Sequence, residues 1–208
     1  MSMSGSTKND SYKDIWQKFI DGDREALSAL YFDFFDVLLN FGMKYSSDRY
    51  LVEDCIQNIF VDLIRNKGNG KQINNIKFFL LKSIKNQILY QQRKTQKLIP
   101  VAESGTINFN ITYSIEHTVI SKDTEETRDR FLNMVKENLT NKQKEALYLR
   151  FNCGFEYAQI SELMNISVES CRTLLYRTIK SLKEKFGNSE YSNLVFFMLM
   201  RSRNISFS

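Results

Sequence analysis

Residues 157–177 read Tyr157-Ala-Gln-Ile-Ser-Glu-Leu-Met164, then Asn165-Ile166-Ser167, then Val168-Glu-Ser-Cys-Arg-Thr-Leu-Leu-Tyr-Arg177. A short apolar-periodic run, a tight turn and a longer amphipathic run predict two helices packed at a sharp angle. That is the helix-turn-helix arrangement, which presents its second helix to a DNA major groove. Ser167 suits the N-cap of the second helix, and Glu169 falls in its electropositive first turn. Ile160, Leu163 and Ile166 supply an interior, and Ala158 is small where the helices cross. Val168, Cys171, Leu175 and Leu182 are expected to point inward. Ser170, Arg172, Thr173, Tyr176, Arg177 and Lys180 are then left facing outward. Arginine can grip a guanine edge with two hydrogen bonds or hold a phosphate, and the hydroxyl side chains can do either. The competing reading is the solvated face of an ordinary helical bundle.

Composition around this stretch favours helices throughout. The chain has 208 residues with one proline and eight glycines, too few turn formers for a sandwich or barrel. At roughly 150 residues per domain, that length allows one or two domains. A single histidine, His117, argues against zinc hydrolases and histidine acid-base enzymes. Cys55, Cys153 and Cys171 lie far apart, with no metal-ligand spacing, which suits a reducing compartment. There is no phosphate-binding glycine loop and no pair of catalytic groups, so no cofactor and no catalytic residue is expected. The N-terminal stretch has no apolar core resembling an export signal. The longest apolar run, Leu194–Met200, is far short of the roughly 20 residues a membrane span needs. A cytoplasmic protein without membrane insertion is the expectation.

Charge is unevenly distributed. Asp10 to Asp62 holds eleven acids and five bases, whereas Leu63 to Ala102 holds nine bases and no acid. Residues 103–129 turn acidic again, and Arg172, Arg177, Lys180, Lys183 and Lys185 form a second basic stretch. Two cationic segments separated by an acidic connection suggest a polyanion contacted in two places.

Helical periodicity divides the chain. Ile15, Trp16, Phe19 and Ile20 mark one helix, and Asp23 caps the next, which carries Ala26, Leu27, Leu30, Phe34, Val37, Leu38 and Phe41. A third helix runs from Leu51 to Ile64. Its apolar side includes Cys55, Ile56, Leu63 and Ile64, and its opposite stripe is Glu53, Asp54, Gln57 and Asn58. A fourth starts near Asn75 with Phe78, Phe79, Leu81, Ile84, Ile88 and Leu89 and ends in a basic run. After Pro100 periodicity fades, for longer than loops within one compact domain usually run. Thr140 and Gln143 then form a capping-box pattern ahead of the helix-turn-helix. The fold class expected is all-α: a helical domain over 10–98, an acidic flexible linker over 99–129, a helix-turn-helix domain over 130–187 and a tail over 188–208.

Several of these segments resemble a known family. Asp54-Cys-Ile-Gln57-Asn-Ile-Phe60, preceded by Glu53, resembles the polymerase-binding helix of region two in extracytoplasmic-function (ECF) sigma factors, a bacterial group of the sigma-70 family. Phe79-Leu-Leu-Lys-Ser-Ile-Lys-Asn86, continuing to Arg93-Lys94, is similar to the segment of that family that handles the −10 promoter element. Leu139 to Phe151, and Tyr157 to Leu182, resemble region four, which reads the −35 element. Tyr90 and Gln91 stand where the family commonly has an aspartate and an aromatic residue, and Leu174 where it often has arginine.

The resemblance implies a transcription initiation factor rather than an enzyme. Glu53, Asp54, Gln57 and Asn58 would meet the clamp of the largest subunit of core RNA polymerase. Lys82, Lys85, Asn86, Arg93 and Lys94 would meet promoter DNA at −10, with Phe78, Phe79 and Tyr90 as candidate stacking groups. Ser170, Arg172, Thr173, Tyr176, Arg177 and Lys180 would meet it at −35. An anti-sigma factor would be a partner. The alternatives are a helix-turn-helix regulator that needs no polymerase core, and a sigma-like adaptor.

Overall fold

The computed structural model describes residues 4–66, 73–96, 109 and 137–185, and the regular elements among them are all helical. The chain divides into two compact units at Asn108/Phe109.

The first unit contains α1 (Ser4–Ile20), α2 (Arg24–Gly42), α3 (Arg49–Asn66) and α4 (Ile76–Gln96). Each of the last three begins at a side-chain cap. The Asp23 carboxylate accepts from the backbone N–H groups of Glu25 and Ala26, at 2.9 and 3.3 Å. Asp48 accepts from Leu51 N–H at 3.1 Å, and Asn75 from Phe78 N–H at 2.9 Å. Such a cap satisfies donors a helix start leaves open, and its loss typically costs about 1 kcal/mol. Between α1 and α2 the chain reverses through Gly22, whose φ of +107° lies in the region glycine tolerates best.

Helix α2 packs against α1, α3 and α4, and α3 also packs against α4. Leu30, Phe34, Leu38 and Phe41 of α2 meet a core completed by Val52, Ile56, Leu80, Leu81, Ile84 and Ile88. Burying each such side chain contributes roughly 1.5–3 kcal/mol relative to exposing it. The α2–α3 turn is fixed to α4 by polar contacts. Tyr45 is buried, its carbonyl accepts from Gln92 Nε2 at 2.8 Å, and the Lys85 ammonium lies 5.4 Å from its ring centroid.

The second unit contains α5 (Asn141–Leu147), a π-helical turn (Tyr148–Asn152), α6 (Tyr157–Met164) and α7 (168–185). The capping box at α5 forms: Gln143 Oε1 accepts from Thr140 N–H at 2.9 Å, and Thr140 Oγ1 accepts from Gln143 N–H at 3.4 Å. In the widened turn, Cys153 N–H donates to the Tyr148 carbonyl and Phe155 N–H to the Leu149 carbonyl, both at 3.1 Å. Helix α6 stops at Asn165, whose φ of 54° is left-handed, and Ile166 N–H closes the end on the Ser161 carbonyl at 3.0 Å. The Ser167 hydroxyl then caps α7 by accepting from Ser170 N–H at 3.0 Å.

Four positions on α7 face the interior: Cys171, Leu175, Thr178 and Leu182, spaced i, i+4, i+7, i+11. Thr178 is tolerated there because its hydroxyl donates to the Leu174 carbonyl at 2.7 Å. Among the described residues no buried side-chain nitrogen or oxygen lacks a hydrogen-bond partner.

Some sequence expectations are corrected. Ala158 is exposed, and the small residue in the interior is Ser161, whose hydroxyl donates to the Ala158 carbonyl at 2.8 Å. Val168 is partly open to solvent rather than inward-facing, because it precedes the buried seam at the very start of α7. Ile64 is 59% exposed rather than part of the apolar side of α3. Phe109, within the stretch read as linker, is buried, with its ring centroid 5.8 Å from that of Tyr148. The rest of that stretch, residues 130–136 and the tail lie outside the described residues. No helix among the described residues is long and apolar enough to cross a membrane.

Candidate nucleic-acid interface

The outward side of α7 follows from the phase of its buried seam. With Cys171, Leu175, Thr178 and Leu182 turned inward, Ser170, Arg172, Tyr176, Arg177 and Lys180 are exposed and Thr173 is half-buried. All six expected positions therefore share the solvent side of one helix. Tyr176 is 68% exposed, which for an aromatic side chain leaves a large face available for stacking or phosphate contact.

Not all six are equally available. The Ser170 hydroxyl accepts from the Ser167 hydroxyl at 2.8 Å, so it belongs partly to the helix cap. Arg172 lies 3.8 Å from Glu169, and Lys180 lies 3.9 Å from Glu184. Both pairs are long and more than half exposed, and such contacts contribute little in water. A phosphate or base edge can displace either carboxylate at small cost.

The α6 side adds two groups that the sequence reading did not select. Arg150, in the π turn, donates to the Phe155 carbonyl at 2.9 Å, pairs with Glu156 at 3.2 Å and lies 4.9 Å from the Tyr157 ring centroid. Arg172 lies 5.7 Å from the same centroid. No spacing rule links positions 150, 157 and 172. Only the widened turn and the helix pair bring them together.

On α4, Lys82, Asn86 and Arg93 lie at i, i+4 and i+11, close to one line along the helix. Asn86, Arg93 and Lys94 are exposed and Lys82 is half-buried. Tyr90, 61% exposed, stands beside that line. Phe79 instead packs edge-on against Trp16 at 5.9 Å, and Phe78 is half-buried. Lys85 separates from its expected partners. It is only 5% exposed and lies over Tyr45, where its aliphatic stem fills the junction of α4 with the α2–α3 turn.

On α3, Asp54, Gln57 and Asn58 are exposed, while Glu53 is partly covered and paired with Arg49 at 2.7 Å. The same outward face carries Tyr50, Val61 and Ile64, all exposed. Tyr50, Asp54, Gln57, Val61 and Ile64 form a single line at i, i+4, i+7, i+11 and i+14, polar at its centre and apolar at both ends. The signal for it was the helical phase of Tyr50 relative to Asp54.

Two thiols near these faces are held protonated. Burial pushes Cys55 up from its ordinary 9.0 to about 11, with the negative charge of Asp54 adding to the effect. Burial also raises Cys171, partly offset by the positive charge of Arg150.

Residues 132–182 match the family model of sigma-70, region 4. The match covers about a quarter of the chain and takes in α5, the π turn, α6 and most of α7. It supports a sigma-70 family member and a DNA-binding role in transcription. No curated protein matches the chain.

Proposed function

We propose that this protein is a sigma factor of the ECF type, which binds core RNA polymerase, recognises the −35 and −10 promoter elements and starts transcription. The single observation that carries the reading is the region-four segment, whose second helix turns five exposed polar residues away from a buried, mostly apolar seam. In this account α7 enters the major groove at −35. Arg172, Thr173, Tyr176, Arg177 and Lys180 contact bases and phosphates, and Ser170 contributes from the cap.

The exposed line on α4 supports a second contact at −10. Asn86, Arg93 and Lys94, with Lys82 beside them, supply hydrogen bonds and positive charge for a displaced single strand. Tyr90 supplies a stacking surface for an unpaired base, a combination single-strand binding requires. Lys85 belongs to the core and is left out of this set. The α3 line, Tyr50 to Ile64, is the surface proposed for the polymerase clamp. Its exposed apolar ends suit protein docking better than contact with a polyanion. Glu53 sits at the edge of this surface.

The protein performs no phosphodiester chemistry of its own in this reading, because that step belongs to the polymerase. Its site of action is the cytoplasm, and an anti-sigma factor covering these faces would silence it. Run-off transcription with purified core polymerase on a library of promoter fragments tests the proposal. Discrete starts that depend on this chain support it. Sequence-specific duplex binding without core, and no starts with it, would indicate a stand-alone regulator. Binding to core with no start on any fragment would indicate an adaptor.

A further inference from the structure

We infer that Tyr157 is a positioning residue for DNA recognition: its ring, fixed by Arg150, holds the guanidinium of Arg172 ready at the start of α7. The inference rests on the reading that α7 contacts duplex DNA, and it assigns a role to a residue outside that helix. Arg172 projects from the first turns of α7 with its side chain 60% exposed, and its guanidinium carbon is 5.7 Å from the Tyr157 centroid. On the other side of the relation, Arg150 is anchored. Its guanidinium donates to the Phe155 carbonyl at 2.9 Å, pairs with Glu156 at 3.2 Å and lies 4.9 Å from the same ring.

A ring contact serves recognition in a way a carboxylate contact does not. A carboxylate engages the N–H donors of the guanidinium, which are the groups that must reach guanine or phosphate. An aromatic ring attracts the cation through its π electrons and leaves those donors available. Holding a long arginine near its bound geometry also removes part of the ordering cost that binding would otherwise carry. Glu169, 3.8 Å from Arg172, is the competing resting partner, and both side chains of that pair are well exposed. The ring therefore biases Arg172 toward an available arrangement. The second guanidinium, Arg150, adds positive potential at the same place, which draws anionic phosphate toward it.

The test uses the full chain with core RNA polymerase present and a fluorescent duplex that is selected from a randomised library only when this chain is added, with affinity read by anisotropy. Arg172→Ala is expected to weaken binding. Tyr157→Leu, which removes the ring, is expected to weaken it about two- to fivefold, the range of an exposed cation–π contact. Tyr157→Phe, which keeps the ring, should bind as the wild type does. The deciding measurement is Tyr157→Leu in the Arg172→Ala background, where no further loss is expected because the ring has nothing left to hold. An equal loss in both backgrounds would overturn the inference, since the ring would then be acting on the fold. So would full affinity of Tyr157→Leu alongside a weakened Arg172→Ala. If Arg172→Ala, Arg177→Ala and Lys180→Ala all bind as the wild type does, the underlying reading of α7 fails, whatever Tyr157 does.

Discussion

Replacing Gly42 by alanine tests how closely α2 and α3 approach. An ideal Cβ at that position would lie 2.5 Å from Val52 Cγ1 and 3.1 Å from Ile88 Cδ1. Ordinary carbon contacts run about 3.5–4.0 Å, so the methyl group overlaps Val52 by roughly 1 Å. Val52 is fully buried and β-branched, so it cannot rotate away cheaply. Relief requires α2 and α3 to part, and overpacking of this kind costs about 1–3 kcal/mol. Alanine returns up to about 1 kcal/mol of helix propensity, less here because Gly42 is the last residue of α2. The net expectation is a loss of about 1–2 kcal/mol. The assay is urea unfolding followed by tryptophan emission. The only tryptophan in the chain, Trp16, is buried in the first unit, so the signal reports that unit alone. With a slope of about 2 kcal/mol per molar urea, the midpoint should fall by roughly 0.5–1 M. Val52→Ala makes room for the added methyl, so in that background the Gly42→Ala penalty should shrink markedly. A Gly42→Ala protein as stable as the wild type, or more stable, would refute the packing argument.

Other perturbations read the remaining elements. The folded-state pKa of Cys55 lies above its ordinary value, so its contribution is fully present below pH 9.0 and is lost as pH rises toward about 11. Over that window the stability of wild type relative to Cys55→Ala should decline by up to about 1.4 kcal/mol per pH unit, and parallel curves would contradict the assignment. Thr140→Ala, which removes half of the α5 capping box, should destabilise the second unit by about 1 kcal/mol, measured by thermal melting under circular dichroism. Arg177→Ala should weaken recognition of the upstream element by about 1–3 kcal/mol if the side chain meets a base, and an unchanged footprint there removes it from the contact set.

Helix positions were legible where local chemistry decides them. Asp23 and Thr140 announced helix starts in the sequence, and Ser167 announced α7, because a cap needs only a side-chain oxygen a few residues from open backbone donors. The outward face of α7 was legible because its apolar residues keep a single phase. Ile64 was misplaced because an apolar residue beside buried Leu63 looks buried. Its phase, fourteen residues from Tyr50, puts it on the exposed line instead. Lys85 was misplaced because charge suggests exposure, whereas a long aliphatic stem can place an ammonium over a buried ring. Ala158 and Ser161 are both small, and only the crossing geometry decides which one is enclosed. Phe109 packing on Tyr148, and Arg150 meeting Tyr157 and Arg172, depend on contacts between distant positions that no local pattern encodes.

The measurement that bears most directly on the account is size-exclusion chromatography of the purified full chain with core RNA polymerase. The expected result is stoichiometric co-elution, with Asp54→Ala and Ile64→Asp on the exposed face of α3 each reducing the fraction bound while leaving Trp16 emission unchanged. Failure of the wild-type protein to travel with the polymerase, when it is folded and free of any inhibitor, would contradict the account.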